Sequence, residues 1–109
     1  MWLQAADFVN RQSTLNGAQV QPDDDGLIRV VIAASDPGVP NWLDPGDNLT
    51  GMVLLRWYFA ERFEVPTIRR VKLDHLREHL PSTTRTVSPA VRSEQLERRR
   101  RAVLARYGY

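Results

Sequence analysis

The side chains best suited to meet a ligand gather in one short word, SDPGVPNWLDPGD, at residues 35–47. Prolines and glycines exclude a helix or a central strand here. Within it Asp36, Asn41 and Asp44 surround Trp42. Polar groups converging on an aromatic wall are what a pocket for a small polar ligand needs, and aromatic faces suit sugars. The same residues allow a structural reading. Trp42 would plug the end of an apolar interior and direct its indole N–H to a carbonyl or water, while Asp36 and Asn41 bond nearby backbone and hold the loop. Arg56 joins the set because it interrupts the apolar run MVLLRWYFAERF at residues 52–63. A guanidinium there must contact an anion, pair with a carboxylate such as Asp36 or Asp44, or lie on an exposed face. The candidate ligand-binding residues are therefore Asp36, Asn41, Trp42, Asp44 and Arg56.

Three further patterns invite chemistry and carry less. His75 and His79 form H-x-x-x-H with Asp74 and Glu78 interleaved. On an α-helix they would share a face, as zinc requires, but no third ligand is placed and the H-E-x-x-H word is absent, so no metal site and no cofactor are expected. Ser35, His75 and an Asp could be assembled into a hydrolase triad on paper, but no G-x-S-x-G elbow accompanies them. Arg98 to Arg101 invite a nucleic-acid reading. Four successive helical residues circle the axis instead of forming one stripe, and no aromatics interleave, so no nucleic-acid partner is expected.

The elements that must position these residues read as mainly β. Trp2 to Val9 suits a strand, and so does Leu27 to Ala33, β-branched and short. Ala18 to Gln21 should pair with the latter as a hairpin through the Asp25-Gly26 turn. The run at 52–63, set between Gly51 and Pro66, suits a central strand, and Thr67 to Leu73 a charged edge. Leu73, Leu76 and Leu80 place a short helix over Asp74 to Leu80. Ser88 is an N-cap and Pro89 a first helical residue for a C-terminal helix whose apolar stripe is Leu96, Val103, Leu104 and Tyr107. Arg92 and Arg99 lie on a common side of it. The organisation read from this is a β-rich portion at 1–80, a linker at 81–87 and an arginine-rich helix at 88–108.

A length of 109 residues allows one domain with a modest core, and 42% apolar with 26% charged residues is ordinary for a globular protein. The absence of cysteine excludes disulfides and fits a reducing, cytoplasmic setting. No apolar run is long enough to span a membrane. The net charge is only +2, yet the basic residues crowd the second half, which can suggest an anionic partner.

The words NRQSTLNGAQV, DDDGLIRVVIA, DPGVPNWLD and GMVLLRW, in that order from Asn10 to Trp57, resemble the bacterial family called domain of unknown function 1214. The resemblance implies an antiparallel β-sandwich of jelly-roll type, normally the C-terminal part of a longer polypeptide and often accompanied by domain of unknown function 1254. It assigns no catalytic residues. Asp36, Pro37, Gly38, Asn41, Trp42, Leu43 and Arg56 match the family word by word. Sandwich strands upstream of Trp2 have no counterpart, so the chain is expected to form a homo-oligomer through Trp2 to Val9, or to lack an N-terminal domain. The resulting expectation is a non-catalytic binding or accessory module for a carbohydrate-like or small polar ligand. The rivals are part of an enzyme whose other site residues lie on a missing segment, and a structural oligomerisation unit.

Overall fold

The computed structural model describes residues 10–46, 52–55, 62 and 65–108. Within these, regular structure is mostly helical. Strands β1 (Val31–Ile32) and β2 (Trp42–Leu43) form one two-stranded sheet. A 3₁₀ helix covers Leu73–His79, and α1 covers Pro89–Arg106. The expected mainly β, jelly-roll sandwich is overturned: two strands of two residues each, paired in parallel and not antiparallel, cannot make two packed sheets. Trp2 to Val9 and Arg56 lie outside the described residues. Among the described residues no helix is long and apolar enough to cross a membrane.

The reason the β pattern fails is visible at the hairpin. Its turn forms: Gly26 sits at a φ of 82° and its N–H reaches the Asp23 carbonyl at 2.8 Å. Its two arms do not pair, because the Asn41 side chain stands between them. Asn41 Nδ2 donates to the Gln21 carbonyl at 2.7 Å and to the Arg29 carbonyl at 2.9 Å, while its Oδ1 accepts the Gln21 N–H at 2.8 Å. One amide side chain thus does the work of a strand. Leu27 to Ala33 pairs instead with Asn41 to Leu43, with Val31 N–H on the Asn41 carbonyl at 2.8 Å and Ala33 N–H on the Leu43 carbonyl at 3.4 Å. Residues 52–55 and 65–70 are exposed and in no strand.

The helix α1 begins at the expected Pro89, whereas the short helix expected over Asp74 to Leu80 is a 3₁₀ helix that starts one residue earlier, at Leu73. Ser88 Oγ accepts the Val91 N–H at 3.2 Å, Pro89 opens α1, and Gly108 follows its end at a φ of 81°. The docking face differs from the expected apolar stripe. Leu96, Val103 and Leu104 are half-buried and Tyr107 is exposed, whereas the buried residue of α1 is Arg92. Residues 81–87 are fastened at several points. The Arg77 guanidinium reaches the Thr84 carbonyl at 3.0 Å and Thr86 Oγ1 at 2.8 Å, and Val87 N–H reaches the Gly38 carbonyl at 2.8 Å. The core they close is small and half polar: Val39, Trp42, Leu76 and Val87 are buried beside Gln12, Asn41, Asp44 and Arg92.

Candidate functional site

Residues 35–46 are built from one turn used twice. In Asp36-Pro37-Gly38 and again in Asp44-Pro45-Gly46, the aspartate Oδ1 accepts the glycine N–H at 2.8 Å. Both glycines take positive φ, 73° and 68°, which L side chains resist. Proline fixes the middle of each turn. The carboxylates are thereby aimed and left with acceptor capacity, and each is met by an arginine from elsewhere in the chain. Asp44 receives Arg11 Nη1 at 3.4 Å on each oxygen, and Asp36 receives Arg92.

Arg92 carries the larger part of the closure. Its Nε donates to Asp36 Oδ2 at 3.0 Å and its Nη2 to Asp36 Oδ1 at 3.3 Å. Nη1 donates to the Pro40 carbonyl at 3.4 Å and to Gln95 Oε1 at 3.1 Å, and Nη2 also donates to the Val39 carbonyl. A guanidinium has five N–H donors in a fixed fork, and all five are engaged here. Its carbon also stands 5.2 Å from the centre of the Trp42 ring, within cation–π range. Burial of a charge is tolerable only with such pairing. One heptad further along the helix, on the same side, Arg99 donates to the Arg11 and Thr14 carbonyls, each at 3.2 Å, and to Thr14 Oγ1. Its acceptors are neutral oxygens, and burial holds this guanidinium below its ordinary value.

Trp42 is buried between these groups, with its indole N–H on the Ala33 carbonyl at 2.9 Å. Its own carbonyl accepts Gln12 Nε2 at 2.6 Å, and the Gln12 carbonyl accepts the Asp44 N–H at 2.9 Å. Among the described residues no buried side-chain nitrogen or oxygen lacks a partner.

Asp36, Asn41, Trp42 and Asp44 are thus each engaged within the chain, Asn41 and Trp42 by backbone groups and the two aspartates by backbone N–H groups and the arginines Arg92 and Arg11. Arg56 lies outside the described residues, and the partners proposed for it, Asp36 and Asp44, are held by Arg92 and Arg11. The cleft beside the loop, lined by Gln21, Asp23, Arg29, Asn41 and Thr84 among others, offers about 10 Å³, room for one water and not for a sugar. At its rim Arg29 binds Asp23 and Asp25, each at 2.8 Å. The Arg29 bond, helped by the Leu27 N–H, holds the Asp25 carboxyl below the usual carboxylate range, and the two acids raise Arg29.

His75 and His79 do not form a ligand pair. Their helix is 3₁₀, where three residues make a turn, so i and i+4 fall about 120° apart. His75 Nδ1 faces Glu78 Oε1 at 3.4 Å, in solvent. Among the described residues no three His, Cys, Asp or Glu side chains gather as a metal site would need. Ser35 is exposed and bonds to neither histidine.

Sequence reasoning passed over Arg92, Gln12, Arg11 and Arg99 as parts of this site. Two signals point to them: the Asp-Pro-Gly word repeats eight residues apart, and the arginines at 92 and 99 share one helix face. Comparison with family models, curated proteins and solved structures finds no match for this chain.

Proposed function

We propose that this chain is a non-catalytic association module, a unit that completes its buried surface against another polypeptide. The observation that carries this reading is the strip along Leu27 to Ile32. Leu27, Ile28, Val30 and Ile32 are 57%, 55%, 43% and 53% exposed in a segment that ends in β1, which among the described residues pairs on one edge, with β2. Apolar side chains beside free main-chain groups mark a protein-binding edge. The alternative, a small polar ligand held at the loop, has less support. Asp36, Asn41, Trp42 and Asp44 are engaged internally and the neighbouring cleft holds about 10 Å³.

The test compares the two surfaces in the ¹⁵N-labelled full chain. Millimolar glucose or N-acetylglucosamine should leave the Trp42 indole signal unmoved, while 8-anilinonaphthalene sulfonate should fluoresce on the chain and shift signals of residues 27–32. Saturable movement of the Trp42 indole by a sugar, or a chain that leaves the dye dark, overturns the association reading.

A further inference from the structure

The free edge is self-complementary. Along β1 and the residues beside it, the N–H groups of Val31 and Ala33 face β2 and the Arg29 carbonyl faces Asn41. The pleat turns the main-chain groups of Ile28, Val30 and Ile32 the other way. No described residue bonds them. The side chains at these three positions lie on one face, are exposed, and read Ile-Val-Ile, the same in both directions. We infer that a second copy of this chain pairs antiparallel along this edge, about a two-fold axis at Val30, with Ile28 opposite Ile32 of its partner and Val30 opposite itself. This rests on the association reading and names its partner.

Two further features fit a second copy. In this register Arg29 stands opposite Val31 of the other copy, so no like charges face each other. Arg29 is in any case held by Asp23 and Asp25, each at 2.8 Å. The edge is also neutral and short. Five residues per copy make an interface of the weak class, below about 1,200 Å², so monomer and dimer should exchange between roughly micromolar and millimolar concentration. A symmetric contact of this kind closes on itself and does not extend into a fibre.

Sedimentation equilibrium of the full chain tests this, with Val30→Lys, Val30→Glu and their equimolar mixture. The wild type should dimerise in that range. Each variant alone should dissociate at least about tenfold more readily, because two like charges meet at the axis, and the mixture should recover a heterodimer. Circular dichroism checks folding. If either variant unfolds, a chain carrying Ile28→Glu with Ile32→Lys makes the same test, since those positions face each other across the axis and should restore the dimer. A wild type that stays monomeric to 1 mM overturns the inference; if such a monomer still binds the dye, association with a different partner stands. Dimers indifferent to both charges, or a mixture that stays apart, overturn the register. A monomer that is also dark to the dye overturns the inference and the association reading together.

Discussion

Replacing Arg92 with methionine keeps an unbranched helix-forming chain against the Trp42 ring and removes every donor that closes the loop. The Val39 carbonyl loses its buried partner, while the Pro40 carbonyl keeps the Trp42 N–H at 3.2 Å. Orphaned buried acceptors cost about 1–3 kcal/mol. Asp36 loses its bidentate bond but keeps the Gly38 N–H, and its side chain is 31% exposed, so water rehydrates part of it. That places the loss toward the lower end of the roughly 3–5 kcal/mol seen when one partner of a buried pair is removed. The lost cation–π contact, about 1 kcal/mol, is partly offset by sulfur against the ring. A total near 3 kcal/mol is expected, a large fraction of the roughly 5–15 kcal/mol that a domain of this size has. In urea, followed by tryptophan fluorescence, the midpoint should fall by about 1–2 M with the slope unchanged. Combining Arg92→Met with Asp36→Asn should give a coupling of at least about 1 kcal/mol. A midpoint within about 0.3 M of wild type would mean that the guanidinium does not hold the helix to the loop.

Asn41→Asp preserves shape but sets a carboxylate against the Gln21 and Arg29 carbonyls, so a loss of about 3 kcal/mol or more is expected in the same urea assay, and a neutral result would remove the side-chain bridge from the account. Gly38→Ala meets only the Val87 carbonyl at 3.7 Å, an ordinary contact, but must hold a φ of 73°, so the thermal midpoint should fall by the equivalent of about 1 kcal/mol. Residues 65–70 are exposed and in no helix or strand, so limited trypsin should cut first at Arg69 or Arg70; a first cut inside α1 would place the weak point elsewhere.

What was legible in the sequence was mostly local. Ser88, Pro89 and Gly108 bound α1 because capping chemistry acts within a few residues. The tight turn at Gly26 and the inward Trp42 with its N–H on a carbonyl follow from the same short-range logic. What failed was pairing over distance. Leu27 to Ala33 reads as a strand of a large sheet, and propensity cannot tell that an asparagine side chain will occupy the edge a neighbouring strand needs. The bonding of Asp36 and Asn41 to backbone was legible as one of two readings of the loop, but not the closure of Asp36 by an arginine. That depends on Arg92, 56 residues after Asp36, and helical periodicity assigns an arginine to solvent unless a carboxylate is known to wait for it.

Hydrogen exchange at the Trp42 indole N–H is the most direct measurement of whether the loop at 35–46 is closed on itself. The chain has three tryptophans, and a Trp42→Phe variant assigns the signal among the indole resonances. With the N–H on the Ala33 carbonyl at 2.9 Å and the ring beneath Arg92, exchange should require local opening. It should run at least about a hundredfold slower than in free tryptophan, equivalent to about 3 kcal/mol, and should stay slow when sugar is added. An indole proton that exchanges at the free rate, or that a sugar protects, would contradict the account, because the loop would then be open to solvent and available to a ligand.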